Sequence, residues 1–249
     1  MTTLMAGGAT AEGTKRYLAR LAGTVVPAHF RELDGINVAT VGLGTYLGRE
    51  DGATDVMYQD AIARALELGV NVIDTAINYR HQRSERAVRA ALASAVGGGT
   101  VRRDEVIVAT KFGSPIDEER KGGASAAYIA RAVEDSLKRL GTDRIDLYQL
   151  HFPDAATPFE ETLEALDTLV RAGKVLEIGG SNFSADQIDE TTRISADRNQ
   201  ARFVSVQNEY SLIRRGPEHF GVLDACARNG RVHSLFPTRE WRAHGQVPP

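Results

Sequence analysis

The sequence predicts an α/β fold of the TIM-barrel type, a (β/α)8 barrel that follows a β-hairpin and is incomplete, with about six βα units. Apolar segments of strand length alternate with helical segments of roughly 10–15 residues, which is typical of βαβ units around a parallel sheet. The chain has 249 residues, the usual length of one such barrel, and no charged or low-complexity block marks a second domain. Several apolar segments also stop on a polar residue, as strands that end at an active site do.

Three regions divide the chain. Residues 1–27 are rich in Gly, Ala and Thr and are predicted to be a disordered leader. Residues 28–230 are predicted to form the partial barrel, and residues 231–249 an aberrant tail. At the start of the barrel, Asp34-Gly35 separates two short runs that contain apolar residues, which predicts a two-residue hairpin turn because Gly tolerates positive φ.

The alternating elements follow in order. Strands are predicted in VATVGLG, VNVID, DEVIVATK, RIDLYQLH, KVLEIGGSN and RFVSVQN. Helices are predicted in DVMYQDAIARALELG, SERAVRAALASAV, SAAYIARAVEDSLKRLG, FEETLEALDTLVRAG, SADQIDETTRIS and PEHFGVLDACARNG. Gly141 and Gly173 are predicted to end two of these helices, since glycine readily adopts the left-handed conformation that follows a helix.

Composition excludes several classes of protein. The net charge of −3 gives no electrostatic case for nucleic-acid binding, and no run approaches the ~18 apolar residues of a membrane span. Cys226 is the single cysteine, which excludes an intrachain disulfide and favours a reducing, cytoplasmic setting. The histidines show no metal-ligand spacing, so no metal site is expected.

Polar residues stand at the carboxyl ends of five predicted strands: Asp74, Lys111, His151, Ser181 with Asn182, and Gln207. Each one alone is better explained as an ordinary polar residue at the end of an element. In a (β/α)8 barrel, however, all strand ends meet at the face that holds the active site. Together they predict one cavity, and Asp74 is available to compensate the buried charge of Lys111.

Four residue types in this set suit proton donation to a carbonyl oxygen. Tyr79 follows the strand that ends at Asp74, and a tyrosine with an ordinary pKa near 10 is too weak an acid without help. A lysine held by a carboxylate can provide that help, and a histidine can orient the substrate oxygen. Tyr46, Phe112 and Phe152 indicate a pocket lined by aromatic rings but no particular substrate.

The chain resembles the aldo-keto reductase family from VATVGLGTYLG to VQNEYSL. GVNVIDTAINY resembles the family's Asp and Tyr segment, and VIVATKFG resembles its Lys strand. SLKRLGTDRIDLYQLHFPD resembles its His strand, while GKVLEIGGSNFS and VQNEYS resemble its nicotinamide-holding strands. The resemblance implies a TIM barrel that reduces a small-molecule aldehyde or ketone with NADPH. It also implies that the intact fold is a monomer.

Residue roles follow from this resemblance. Tyr79 would be the general acid, Lys111 the cation that makes it a stronger acid, Asp74 the residue that holds Lys111, and His151 the group that orients the carbonyl. The carboxamide of the cofactor would be bound by Ser181, Asn182 and Gln207. Tyr210 would stack on the nicotinamide, and Thr45 and Tyr46 would line the same pocket.

Two departures from the family pattern stand out. YRHQRSE has no glycine where many members have a Gly-x-Ser-Glu turn. The tail also lacks a family-like seventh strand, so strands seven and eight are expected to be missing. Regrouping the codons from Arg231 by one nucleotide permits such a strand and its loop, so residues 231–249 are interpreted as translated out of frame.

Because of these departures, functions other than carbonyl reduction are also considered for this chain. The missing loops would hold the pyrophosphate and 2′-phosphate of the cofactor, so the truncated chain could be inactive. The alternative is a non-catalytic, cofactor-sensing or binding subunit, as the potassium-channel β subunits of the same superfamily illustrate. A barrel that binds phosphate through its final loops is a weaker alternative, because the tail offers no such loop.

Overall fold

The computed structural model describes residues 4–116, 121–230 and 233–235. Its main sheet has seven parallel strands in sequential order. They are β3 (Leu43–Gly44), β4 (Val72–Asp74), β5 (Ile107–Phe112), β6 (Ile145–Leu150), β7 (Val175–Ser181), β8 (Phe203–Gln207) and β9 (His233–Leu235). Sequential parallel order with helical connections is the topology of a (β/α)8 barrel, so the predicted fold class is confirmed as an incomplete barrel.

Helices follow the first six strands of this sheet. They are α2 (Gly52–Glu67), α3 (Arg83–Gly97), α4 (Ala126–Leu140), α5 (Phe159–Arg171), α6 (Ala185–Asp197), and the pair α7 (Gly216–His219) and α8 (Val222–Arg228). The last two were expected as one helix. Gly221 lies between them with a φ of 71°, and this left-handed residue breaks the helix.

The helices cover the outer face of the sheet with apolar side chains. Ile62 and Leu66 of α2, Val88 of α3, Ile129 of α4 and Leu163 of α5 are buried in one hydrophobic core. Burial of each such side chain stabilises the fold by about 1.5–3 kcal/mol. This packing fixes the strands from their outer side, so their carboxyl ends are held in place as a rigid platform.

The predicted hairpin is present as β1 (Phe30–Leu33) and β2 (Ile36–Ala39). Asp34 and Gly35 have φ values of 47° and 84°, the left-handed pair that a tight hairpin turn of this twist requires. Asn71, just before β4, accepts from the amide of Ala39 at 2.9 Å and so holds the hairpin at the amino ends of the strands. A cavity of about 290 Å³ lies between the hairpin and the strand starts.

The disordered leader expected for residues 1–27 is wrong for the residues of that segment that the structure describes. Ala11–Arg20 form helix α1, which begins with Thr10 accepting from the amide of Gly13 at 2.9 Å. Tyr17 is buried, and Arg20 pairs with the buried carboxylate of Glu105. A buried aromatic side chain and the ion pairs of Arg16 and Arg20 with Glu105 therefore anchor a segment whose composition resembles that of a flexible leader.

Strand β9 was not expected from the sequence. It pairs in parallel with β8, His233 opposite Ser205 and Leu235 opposite Gln207, at the position of a seventh barrel strand. Residues 231–232 and 236–249 lie outside the described residues, so the out-of-frame interpretation of the tail stays a prediction. In the part of the chain that the structure describes, no helix is long and apolar enough to cross a membrane.

Candidate active site

Lys111 is at the centre of the site, near the carboxyl end of β5. Its side chain is buried, and its Nζ donates to both carboxylate oxygens of Asp74, at 2.7 and 2.8 Å. The same Nζ donates to the carbonyl of Thr75 at 3.0 Å and lies 3.2 Å from the hydroxyl of Tyr79. Asp74 ends β4, the strand beside β5, so adjacent parallel strands bring the ion pair together. The lysine charge is thus compensated by one carboxylate and directed at one phenol.

Tyr79 lies in the turn that follows β4 and precedes α3. Its ring is buried, with the Nζ of Lys111 4.9 Å from the ring centroid. The ring also meets Tyr46 edge-on, with centroids 4.9 Å apart, and His151, with centroids 5.7 Å apart. The phenol therefore has a cation at its oxygen and an aromatic ring on either side.

His151 follows β6 directly and faces Tyr79. Burial, assisted by the positive charge of Lys111, lowers the pKa of His151 to about 3, so its imidazole is neutral at pH 7. The ring stacks on Phe152 with centroids 4.8 Å apart and an interplanar angle of 14°. Among the described residues its Nδ1 has no hydrogen-bond partner although it is buried. A neutral imidazole donates one hydrogen bond through its N–H and accepts one at the other ring nitrogen, but it lacks the acidic proton of an imidazolium.

Ser181, Asn182 and Gln207 form a polar shelf at the ends of β7 and β8. The Ser181 hydroxyl donates to the carbonyl of Gln207 at 2.7 Å, and the Asn182 amide donates to the carbonyl of His151 at 2.9 Å. The Gln207 amide nitrogen lies 3.2 Å from an oxygen of Asp74. The shelf is therefore bonded to both the His151 segment and the Lys111–Asp74 pair.

Thr45 and Tyr46 lie on the opposite side, just after β3. Thr45 is buried, and its hydroxyl donates to the carbonyl of Asp74 at 3.2 Å. The carbonyl of Thr45 accepts from the hydroxyl of Ser84 at 2.7 Å, which ties this loop to α3. Tyr46 is half exposed, at 50%, and covers one side of Tyr79. Both residues therefore contact the central side chains, Thr45 at Asp74 and Tyr46 at Tyr79.

Tyr210 lies further from this centre along the loop after β8. Its hydroxyl donates to the carboxylate of Glu218 on α7, and that hydrogen bond raises the pKa of Tyr210. The described contacts thus hold the ring toward α7. Stacking of Tyr210 on a nicotinamide stays a prediction.

Sequence reasoning missed several residues around the site. The Thr75 carbonyl and the Ser84 hydroxyl act through hydrogen bonds that no motif identifies. Gln149 of β6 is wholly buried on the strand face that ends at His151, and in the described part of the chain neither of its amide atoms has a hydrogen-bond partner. Its position inside a predicted strand was visible in the sequence, as an amide between Tyr148 and Leu150.

The structure therefore combines a partial parallel barrel with Asp, Tyr, Lys and His side chains that lie together at the ends of its strands. The chain belongs to the Aldo/keto reductase family, whose model matches residues 40–232. This confirms the resemblance seen in the sequence.

Individual relatives agree with this assignment. Aldo-keto reductase YhdN of Bacillus subtilis (strain 168) is 39% identical over 208 residues, which cover 81% of this chain and 58% of the relative. A putative voltage-gated potassium channel subunit beta of Schizosaccharomyces pombe (strain 972 / ATCC 24843) is 31% identical over 198 residues, 78% of this chain and 56% of the relative. This chain thus spans less than two thirds of the length of either curated relative.

The fold is similar to that of solved family members. The holo form of aldo-keto reductase AKR11C1 from Bacillus halodurans superposes with a TM-score of 0.68 at 33% identity. The match covers 83% of this chain and 65% of that one. Both the fold and the family therefore indicate an oxidoreductase scaffold.

Proposed function

We propose that this site reduces an aldehyde or ketone, with NADPH as the hydride source and Tyr79 as the general acid. The observation that carries the proposal is the contact of the Lys111 Nζ with both Asp74 oxygens and the Tyr79 hydroxyl, opposite a neutral His151. Structural ion pairs are also found in proteins, so the proposal depends on the contact of this buried lysine with a phenol as well as with a carboxylate. The proposed roles are those implied by the family resemblance.

The four side chains divide the work on the carbonyl oxygen. Tyr79 donates its proton to that oxygen, and the positive charge of Lys111, 3.2 Å from the phenol, stabilises the phenolate that remains. Asp74 holds Lys111 in place and compensates its charge in the buried site. His151, which is neutral, donates a hydrogen bond to the same oxygen and orients it.

The residues at the ends of β7 and β8 fit a nicotinamide carboxamide. Ser181 and Gln207 are directly opposite each other in the strand register, and Asn182 is adjacent. One hydroxyl and two amides can match a group that has both an acceptor oxygen and donor N–H bonds. When bound, the nicotinamide supplies the hydride that the carbonyl carbon receives. Tyr210, Thr45 and Tyr46 would complete the walls of this pocket.

The finer assignments belong to the same proposal. We propose NADPH rather than NADH as the cofactor, a small-molecule carbonyl as the substrate, and a monomer in the cytoplasm. Burial of Cys226 in α8 supports a setting in which that thiol stays reduced. The match to a putative potassium channel subunit beta favours a second candidate function, a cofactor-binding subunit without turnover.

The test is cofactor binding followed by a carbonyl screen on the purified chain. NADPH and NADH are titrated separately, and oxidation of the preferred one is then followed with a panel of aldehydes and ketones. Tyr79→Phe should keep cofactor binding and lose at least about 100-fold in reduction rate, the usual worth of a general acid. Tyr17→Phe, at the opposite end of the barrel, is the matched control and should keep both.

The outcomes separate the two candidates. A Tyr79→Phe chain that reduces carbonyls at the unchanged rate would refute the proposed acid. Binding of NADPH without turnover of any carbonyl would instead support the binding subunit. Failure to bind either nucleotide would refute both functions for this chain.

A further inference from the structure

The turn after Tyr79 has an unusual backbone. Arg80, His81 and Gln82 have φ values of 47°, 52° and 68°, so three successive residues with side chains adopt the left-handed conformation. This conformation favours glycine, because a Cβ atom then crowds the following carbonyl. A strained segment of this kind persists where the surrounding structure fixes it firmly.

The side chain of Arg80 fixes this turn. It is 1% exposed, and its Nε donates to the carbonyl of Arg49 at 2.8 Å. Its Nη2 donates to the carbonyl of Asp51 at 3.1 Å and to the carboxylate of Asp55 at 2.7 Å. The guanidinium also lies over the ring of Tyr58, 5.2 Å from its centroid. Every one of these contacts is to the segment between β3 and the second turn of α2.

The loop of residues 46–51 is held at alternate carbonyls. Tyr58, under the guanidinium, donates its hydroxyl to the carbonyl of Leu47 at 2.6 Å. With the two carbonyls that Arg80 binds, the loop is therefore bonded at positions 47, 49 and 51. The loop begins with Tyr46, whose ring packs against Tyr79.

We propose that Arg80 is a positioning residue that fixes the 46–51 loop, and through it the ring of Tyr46, relative to the Tyr79 hydroxyl. This inference rests on the proposed function, since it assigns Tyr46 to the wall of the carbonyl pocket. Arg80 follows Tyr79 directly in the chain, so its contacts join the proton donor to the loop that borders the substrate. The planar fork of arginine can bind two carbonyls and a carboxylate together, which the single ammonium of lysine does less well.

Hydrogen exchange tests whether Arg80 fixes the 46–51 loop, and it does not require activity. In Arg80→Met, which keeps the apolar length but removes the fork, amides of the 46–51 loop should exchange at least about tenfold faster than in the wild type. Arg83→Met is the matched control: Arg83 also pairs with Asp55 but makes no described bond to the loop carbonyls, and exchange in the loop should stay unchanged. Arg80→Lys should give an intermediate rate.

Kinetics give a second readout where the chain turns over. Arg80→Met should raise the KM for the carbonyl substrate at least about tenfold and change kcat much less, since the proton donor and its lysine are untouched. Absence of turnover in the wild type would refute the proposed function, but the exchange result would still decide whether Arg80 fixes the 46–51 loop. Unchanged exchange in the loop of Arg80→Met, an equal effect of Arg83→Met, or a uniform rise that includes β6 would each overturn the proposal. If Arg80→Met does not fold, Arg80→Lys is read against the same three outcomes.

Discussion

His151 should make the stability of the protein fall as the pH is lowered from 7 to 5. Its pKa in the folded protein is about 3, against 6.5 for an ordinary histidine. Below pH 6.5 the imidazole of His151 is therefore protonated in the unfolded chain but stays neutral in the folded protein. For a group whose folded pKa is depressed in this way, the unfolded state binds more protons throughout the window between about pH 3 and 6.5.

The size of the effect follows from these two pKa values. The full contribution of His151 to the unfolding free energy is present above the pKa of the unfolded state. Each pH unit below that pKa lowers the unfolding free energy by about 1.4 kcal/mol, until the pKa of the folded state is reached. Between pH 7 and 5 the contribution of His151 sums to about 2 kcal/mol of lost unfolding free energy. Any folded pKa well below 5 gives nearly the same loss, because the folded state is unprotonated at both pH values.

Urea unfolding at pH 7 and pH 5 measures this loss directly. The wild type is compared with His151→Gln, so that the contributions of all other groups cancel in the difference between the two proteins. The variant should lose about 2 kcal/mol less than the wild type over this interval. His81→Gln removes an exposed imidazole and controls for the loss of a histidine from the unfolded chain. Equal pH dependence in wild type and His151→Gln would refute the neutral, buried imidazole on which the proposed carbonyl contact depends.

Three further predictions concern the fold and the cofactor. His81→Gly should raise the unfolding free energy by about 0.5–1 kcal/mol in urea titrations, because glycine relieves a left-handed residue at φ 52° at a modest entropic cost; a loss of stability would contradict the assigned strain. Glu85→Ala should lower the unfolding free energy by about 3–5 kcal/mol, since it leaves the mostly covered guanidinium of Arg139 and the buried hydroxyl of Thr110 without their carboxylate, and a loss under about 1 kcal/mol would show that water reaches the pair. NADPH at a hundred times its dissociation constant should raise the unfolding free energy by about 2.7 kcal/mol, and no rise in the melting temperature at millimolar NADPH would count against the cofactor pocket.

The elements that the sequence predicted well are those with strong local signals. Asp34-Gly35 specifies its turn through two residues that tolerate positive φ, and Gly141 ends α4 for the same reason. Strand ends were also predictable, since Lys111 or His151 after an apolar run is costly unless the run ends at a cleft. The roles assigned to these residues remain proposals, but their meeting at one end of the sheet follows from the parallel topology.

Features that depend on tertiary contacts were not predictable. Helix α1 is anchored by the hydroxyl of Tyr17, which donates to the carbonyl of Leu66 on α2, and by ion pairs of Arg16 and Arg20 with the distant Glu105. Arg80 has a glycine-like backbone, and the two carbonyls that its side chain binds belong to Arg49 and Asp51, far earlier in the chain. Strand β9 exists through pairing with β8, which no local pattern in the sequence indicates. In each case the deciding energy comes from a partner far away in the chain.

The hydrogen bond between Gln207 and Asp74 has a consequence for how the site assembles. These residues are 133 positions apart, and their strands, β8 and β4, are separated by three others in the sheet. In a flat sheet, with roughly 4.8 Å between neighbouring strands, these two side chains would be too far apart to bond. The hydrogen bond therefore requires that the sheet be strongly curved between β4 and β8. Contact between Lys111 and Asp74 requires only that two neighbouring strands, β4 and β5, pair. The Gln207–Asp74 hydrogen bond requires that all five strands from β4 to β8 be in place. The ion pair thus depends on the pairing of two neighbouring strands, whereas the position of the polar shelf depends on the curvature of the sheet from β4 to β8.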